Sequence, residues 1–309
     1  MRRSIGFAVQ KSIEQLQAKL YSAISHRYNG VRLTVYGSCL SGLALEGSHD
    51  IDVSIYIPEL DRLKKSFDSQ EITAEEYEKK MRRIIFRVRD SLEHTRDSSF
   101  CDLFAVARAR VPVIKGSDAR ARNPYARDGS LSFDICFLND IAVVNSSLLR
   151  EYSLLDSRVR MLMLAVKSFA KYKGVANAAD GTMSSYGWLN LVVFYLQCIG
   201  LVPNLQCPRL MEERDFVPSG HWHNVNGLKT YSLTKDMVAK KDTPKSSQPL
   251  DDPSMPTLLY GFFNFYSNVF PRQTIAASIR FGGCTLQKTS FAQSCKSWRR
   301  RKKRSKGMK

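Results

Sequence analysis

Three short segments alternate between apolar and polar residues, and they constrain the fold more than any other feature of the chain. They are Val31–Tyr36, Asp50–Ile57 and Leu131–Phe137. A period of two places apolar side chains on one face of a strand and polar ones on the other, so each segment is predicted to be a half-buried strand. Such strands need helices to cover one face of their sheet.

Elsewhere the apolar residues recur every three or four positions, which predicts helices. Phe104–Ile114 is predicted to be one extended segment, and Lys115–Gly129 a mobile loop. A fold of the α+β class follows from this mixture. The predicted helices lie in Thr73–Thr95, Val159–Ala170, Ser185–Ile199 with Ser184 as its N-cap, and a final segment from Pro256 to Phe270.

At 309 residues the chain exceeds the usual size of a single core, which favours two domains. We expect an N-terminal helix in residues 1–30 and a catalytic domain in residues 31–142. A mainly helical domain is expected in residues 143–283. Residues 284–309 form a basic tail that is predicted to be disordered or non-native. With 43% hydrophobic and 25% charged residues, the composition is that of a folded protein.

The charge favours a polyanionic partner. Lys and Arg number 47 against 29 Asp and Glu, a formal net charge of +18. Eight of these basic residues lie in Arg299–Lys309, so about ten positive charges remain for the rest. Binding of RNA phosphates and a nuclear-type address are alternatives for this segment, and a solvated or artefactual segment is the favoured interpretation. Candidate RNA contacts in the body are Arg108, Arg110, Arg120, Arg122 and Arg127.

Cysteine use and the N-terminus bear on the compartment. Seven cysteines occur singly, with no CxxC pair, which predicts a reducing intracellular environment. We find no secretory signal, and the basic stretch Met1–Lys11 leaves mitochondrial and cytoplasmic locations open. The longest apolar run, Trp188–Val202, is too short and too often interrupted to span a membrane.

Three aspartates carry the predicted chemistry. Asp50 and Asp52 are two apart on one strand and share a face, and Asp134 alternates with apolar neighbours on another. Carboxylates on adjacent strands would supply the oxygen ligands for two Mg²⁺ or Mn²⁺ ions. A lone DxD is commonly a solvated strand edge, so this prediction depends on the turn at Gly37 and Ser38, whose backbone could approach phosphate oxygens closely.

These residues carry a family resemblance. Tyr36-Gly37-Ser38, Asp50-Ile51-Asp52 and Phe133-Asp134-Ile135 together resemble the signature of DNA polymerase β-like nucleotidyltransferases. More narrowly, Val31–Phe281 is similar to the terminal uridylyltransferases and noncanonical poly(A) polymerases, most closely to the compact trypanosomatid RNA uridylyltransferases. The resemblance implies a bilobal molecule. A nucleotidyltransferase domain with a mixed sheet and a helical poly(A)-polymerase-associated domain would then have the active site in the cleft between them.

The resemblance also implies a nucleotide pocket. Asn145 matches the residue that contacts the ribose hydroxyls, and Lys167 and Lys171 match the lysines that hold the triphosphate. Ser185 matches a serine on the phosphates and Tyr186 a tyrosine stacked on the base. Taken singly, these residues would be a helix cap, a solvated helix face and core positions.

The chain departs from the family at its C-terminal end. The acidic, proline-containing segment that helps to recognise uracil is missing, because no acidic residue follows Gly283. A truncated or frame-shifted gene end is the favoured explanation, and a genuine variant or a degenerate enzyme are the others. The choice between UTP and ATP therefore stays open.

The resemblance implies a template-independent RNA 3′-terminal uridylyltransferase that uses UTP and two Mg²⁺ or Mn²⁺ ions and releases pyrophosphate. Its expected partner is a single-stranded RNA 3′ end, with no membrane. A monomeric catalytic unit is expected, with room for subunits of an RNA-processing complex. The alternatives are a noncanonical poly(A) polymerase, a catalytically impaired RNA-binding homologue, and transfer to a small molecule.

Overall fold

The computed structural model describes residues 7–45, 50–95, 99–120, 131–206, 222–225, 228–236, 253–283 and 286–287. The chain divides into two compact units, Met1–Arg150 and Glu151–Lys309. Their boundary lies inside a helix, eight residues beyond the domain boundary expected after residue 142. Arg122 and Arg127, among the predicted RNA contacts, and Arg299–Lys309 lie outside the described residues.

The first unit is built on a five-stranded mixed sheet. The strand order is β1-β2-β5-β4-β3, in which β2 and β5 are parallel and the other neighbours antiparallel. The three strands predicted from alternation are therefore adjacent, and the predicted α+β class is confirmed. The strands are β1 (Arg32–Tyr36), β2 (Ile51–Tyr56), β3 (Phe100–Val106), β4 (Val113–Asp118) and β5 (Leu131–Phe137).

Helices cover one face of this sheet. The core joins apolar residues of the first and fourth helices, such as Leu20 and Ile85, to inward side chains of the sheet, such as Val53 and Phe133. The opposite face is left to the polar residues of the same strands. The helices are α1 (Phe7–Ser25), α2 (Gly37–Ser41), α3 (Pro58–Asp68), α4 (Ala74–Glu93, with Thr73 as N-cap) and α5 (Asp140–Leu155).

Pro58 follows the end of β2, as predicted, and it also occupies the first position of α3, a helix that was not predicted, where its missing N–H costs nothing. Two local predictions in this unit were wrong. The segment Phe104–Ile114 is not one strand, because β3 and β4 pair as an antiparallel hairpin. Lys115–Asp118, expected in a loop, continue β4 and pair with β5.

The second unit is mainly helical in its described part. Its helices are α6 (Ser157–Tyr172), α7 (Ser185–Cys198) and α8 (Met255–Asn264), and α8 continues into a π-helical turn at Phe265–Val269. Asp156, Ser184 and Ser254 cap these helices by accepting hydrogen bonds from backbone N–H groups of the first turn. A two-stranded hairpin, β6 (Trp222–Val225) and β7 (Leu228–Tyr231), is also present.

A second short ladder reaches into the predicted tail. β8 (Ile275–Ala276) pairs with β9 (Leu286–Gln287), and β9 lies within the segment predicted to be a disordered or non-native tail. Backbone pairing over two residues leaves no periodicity in the sequence, which is why it was missed. In the described part of the chain, no helix has the length and apolar character needed to cross a membrane.

Candidate active site

Two of the three predicted aspartates face each other across neighbouring strands. Asp52 of β2 and Asp134 of β5 are register partners in the parallel pair. Their apolar neighbours in sequence, Ile51 and Phe133, are buried in the core, so both carboxylates leave the opposite face of the sheet. The alternation of the sequence thus places two carboxylates side by side.

The turn after β1 brings Gly37 against Asp52. Gly37 has a φ of 71°, in the left-handed region, and a Cβ built there would overlap with Oδ2 of Asp52. Only glycine allows the backbone to approach the carboxylate this closely. The sequence predicted a turn at Gly37 and Ser38, and in the structure these two residues begin the short helix α2.

The Gly37 amide also has a partner that the sequence did not reveal. Its N–H donates a 2.9 Å hydrogen bond to Oγ of Ser146 on α5, and the Ser146 hydroxyl donates to the Ala142 carbonyl. This contact ties α5 to the turn, which sets the position of the neighbouring residue Asn145. In this structure the Gly37 backbone lies close to the Asp52 carboxylate, and the Gly37 N–H donates to a protein side chain.

Lys115 is a second residue that sequence reasoning missed. It is the register partner of Asp134 on the other side, and its Nζ lies 2.6 Å from Oδ2 of that carboxylate. The hydrogen bond to Asp134 raises the pKa of Lys115 above its usual value, so the ammonium group stays charged. The Asp134 carboxylate is thereby held and partly neutralised from the β4 side.

A buried polar group closes the other end of the site. Tyr36, the register partner of Asp52, is buried, and its hydroxyl oxygen accepts a 2.9 Å hydrogen bond from Nδ2 of Asn139. Burial, followed by the neighbouring Cys136 thiol, raises the pKa of Tyr36 well above its usual value. Burial likewise raises the pKa of Cys136. Both groups therefore remain protonated and neutral beside the carboxylates at physiological pH.

Asp50 stands apart from the facing pair. It is exposed and directly precedes β2, outside the ladder that aligns Asp52 with Asp134. Among the described residues, no group of three or more His, Cys, Asp or Glu side chains is arranged to hold a metal ion. The structure thus brings Asp52 and Asp134 together without adding Asp50 to a three-membered cluster.

The facing pair nevertheless fits a hard divalent cation. Both donors are carboxylate oxygens, which Mg²⁺ and Mn²⁺ prefer, and Asp52 and Asp134 lie side by side as register partners. Asp52 and Asp134 would hold the cation, and Asp50, two residues before Asp52 in the sequence, would be the third carboxylate ligand.

The remaining predicted pocket residues lie on two helices of the second unit that pack against each other. Lys167 and Lys171 are one turn apart on α6, the first buried and the second exposed. Ser185 and Tyr186 begin α7. The Tyr186 ring is 37% exposed, and partial burial raises the pKa of its hydroxyl.

Comparison with known proteins places this site in context. Residues 7–154 match the family model of the central palm domain of mitochondrial-like poly(A) RNA polymerase. A solved structure of Cid1 in complex with the UTP analogue UMPNPP aligns with a TM-score of 0.67 at 26% identity, covering 93% of this chain and 75% of that one. The fold and the carboxylate face therefore define a nucleotidyltransferase catalytic domain.

Sequence relatives narrow the class. The terminal uridylyltransferase cid1 of Schizosaccharomyces pombe is 30% identical over 258 residues, which cover 81% of this chain and 53% of that protein. The poly(A) RNA polymerase GLD2 of Danio rerio is 29% identical over 201 residues, 65% of this chain and 36% of that protein. The chain is similar to noncanonical poly(A) and poly(U) RNA polymerases, and it spans about half or less of the length of these relatives.

Proposed function

We propose that this chain adds uridine nucleotides from UTP to the 3′ end of single-stranded RNA without a template. The facing pair Asp52 and Asp134, with Gly37 against it, is the observation that carries the proposal. Two carboxylates on one face of a sheet are suited to bind the divalent cations that phosphoryl transfer requires. The similarity to a terminal uridylyltransferase supports the choice of UTP.

In the proposed reaction, the RNA 3′-hydroxyl oxygen attacks the α-phosphorus of the nucleotide. A new P–O bond forms, the bond to the bridging oxygen breaks, pyrophosphate leaves, and the hydroxyl proton passes to water. Mg²⁺ or Mn²⁺ held by Asp50, Asp52 and Asp134 would favour ionisation of the attacking hydroxyl and neutralise charge on the leaving group.

The chain's own residues position the reacting groups. Gly37 confines the Asp52 carboxylate, and Lys115 fixes Asp134. We assign Asn145 to the ribose hydroxyls and Ser38 to phosphate oxygens. Lys167, Lys171 and Ser185 are assigned to the triphosphate and Tyr186 to stacking on the base. These assignments follow the family resemblance.

Replacing Asp134 tests the mechanism. We expect Asp134→Ala to lower the rate of RNA extension by on the order of a thousandfold, since the loss of a metal ligand removes several kcal/mol of transition-state stabilisation. RNA binding should be unchanged. Asp61→Ala, which removes a partly exposed carboxylate on α3, is the matched control and should leave the rate unaltered. An Asp134→Ala enzyme with wild-type activity would remove Asp134 from the mechanism.

Nucleotide choice is tested by offering ATP, CTP, GTP and UTP separately with a labelled single-stranded RNA. We expect the fastest extension with UTP. Fastest extension with ATP would instead support a poly(A) polymerase, which the palm-domain match and the GLD2 relatives favour as the second candidate. Absence of extension with every nucleotide would support a catalytically impaired RNA-binding homologue.

A further inference from the structure

The row of register partners that contains the carboxylates continues to the edge of the sheet. Asp52 pairs with Asp134, Asp134 with Lys115, and Lys115 with Phe104 of β3. Directly opposed residues of neighbouring strands point to the same face. With strands about 4.8 Å apart, the Cα of Phe104 is about 10 Å from that of Asp134. An aromatic residue and a lysine thus lie in line with the carboxylate pair.

A β-bulge puts Phe104 on this face. Cys101 pairs with Ser117 and Phe104 with Lys115, so β3 advances three residues where β4 advances two. Asp102, inside the bulge, has a φ of 55°, which Asp tolerates better than most residues. Without the extra residue Leu103 would face Lys115, and Phe104 would turn towards the helices.

Phe104 contributes little to the core. Its side chain is 65% exposed at the sheet edge, whereas Phe100 at the start of the same strand packs edge-to-face on buried Phe133, with ring centroids 5.6 Å apart. Exposing an aromatic ring gains no burial energy, so packing does not explain this side chain.

Basic residues flank Phe104 in sequence and on the neighbouring strand. The Lys115 side chain is half exposed and forms an ion pair with Asp134, and Arg108 and Arg110, both exposed, follow the end of β3, with Arg108 Nε 3.9 Å from a carboxylate oxygen of Glu78 on α4. A π face next to cationic side chains is the combination with which proteins bind single-stranded nucleic acid, because bases stack on the ring and phosphates meet the charges. Because this edge leads to the catalytic carboxylates, its expected ligand is the RNA substrate, whose 3′ end reacts there. An acidic peptide has no group that reacts at Asp134.

We infer that Phe104 is a stacking platform for a base within the last few nucleotides before the RNA 3′ end, and that Lys115 contacts a phosphate between that base and Asp134. The inference rests on the proposed function, since it takes the RNA 3′ end to lie at the carboxylates. Stacking on a phenyl ring accepts any base, which suits an enzyme that must hold a changing 3′ end as it extends it.

The test compares Phe104 variants in binding of a fluorescently labelled single-stranded RNA, without nucleotide. We expect Phe104→Ala to raise the Kd about five- to a hundredfold, as for the loss of one stacked base. Phe104→Trp should restore binding, whereas Phe104→Leu, which keeps apolar bulk but no π face, should not. In extension assays, the KM for RNA should rise and the KM for the nucleoside triphosphate should stay constant.

Phe86→Ala is the matched control. Phe86 is also partly exposed, but it lies on α4 with Arg89 over its ring, so its loss should not affect RNA binding. Wild-type Kd values for Phe104→Ala or for Phe104→Leu would overturn the inference. The binding comparison needs no catalysis, so it still decides on Phe104 if the wild type extends no RNA, a result that would contradict the proposed function instead.

Discussion

Gly37 is the residue at which backbone geometry and chemistry coincide. Its φ of 71° and the Asp52 carboxylate beside it leave no room for a side chain. In Gly37→Ala the new methyl group has to displace the carboxylate. We expect kcat/KM for RNA extension to fall at least about a hundredfold, since a displacement of about 1 Å can cost that much. Steady-state extension kinetics measure this.

Gly174 provides the control for backbone strain. It has a φ of 68°, and no atom lies within 4 Å of the Cβ that alanine would add. Gly174→Ala should lose about 1–2 kcal/mol of folding free energy, because it forces a left-handed conformation on alanine, and Gly37→Ala should lose at least as much. Only Gly37→Ala should lose activity. Full activity of that variant would show that Asp52 does not depend on the close approach.

At this scale the sequence predicted which side chains share a face of the sheet better than it predicted their contacts. Asp52 and Asp134 were placed on one face because alternation determines which face of a strand a residue occupies. Ser146 and Lys115 were missed. Ser146 meets Gly37 across 109 residues of sequence, and Lys115 meets Asp134 only through the pairing of β4 with β5. Contacts of this kind depend on tertiary register, which no local pattern encodes.

A buried carboxylate ties α1 to the end of β4. Asp118 is fully buried, accepts hydrogen bonds from the Ser99 hydroxyl and the Arg120 N–H, and forms a 2.7 Å ion pair with Lys19 of α1. Burial alone would raise the pKa of Asp118. The hydrogen bonds from Lys19, Ser99 and Arg120 outweigh burial, so the pKa lies below its ordinary value of 3.8.

Asp118 should therefore stabilise the first unit in a pH-dependent way. Since its folded-state pKa is depressed, its contribution is complete above the unfolded-state value of 3.8 and is lost as the pH falls through the folded-state pKa. At pH 7 we expect Asp118→Asn to cost about 1–3 kcal/mol, and the difference from wild type to shrink towards pH 3. Urea unfolding across this range measures it.

The exposed ion pair of Asp61 with Lys65 serves as the comparison for Asp118. Asp61→Asn should change the free energy of unfolding by less than about 0.5 kcal/mol at any pH, because solvent screens the pair. Equal effects of the two substitutions would contradict a structural role for the buried carboxylate.

Elements were predictable where one pattern runs without interruption. The long helix α4 was predicted from its apolar spacing, and the structure shows in addition that Thr73 is its N-cap. The hairpin of β3 and β4 was not, because its turn around Arg108 and Arg110 contains no glycine and the bulge at Asp102 breaks the alternation. The same bulge turns Phe104 towards the carboxylates, so the irregularity that defeated prediction is a functional candidate.

The charge of the whole chain makes RNA affinity depend on salt. With a net charge of +18, basic side chains of the protein should replace the counterions of the RNA phosphates on binding. Raising the salt concentration from 50 to 200 mM should therefore weaken binding at least about tenfold. The slope of log K against log salt concentration reports how many phosphates are contacted.

Removing the basic end separates contributions to that slope. A variant lacking Arg299–Lys309 loses eight positive charges and retains a net charge of about +10. If the RNA path runs along Phe104, Lys115 and the carboxylates, the truncated chain should keep both its salt slope and its rate of extension. Phosphate contacts are short-range, and charges beyond about 10 Å are screened at 0.1 M salt. If the salt slope falls markedly on truncation, phosphate contacts lie in Arg299–Lys309. The sheet edge with Phe104 and Lys115 would then contribute fewer of the phosphate contacts than expected.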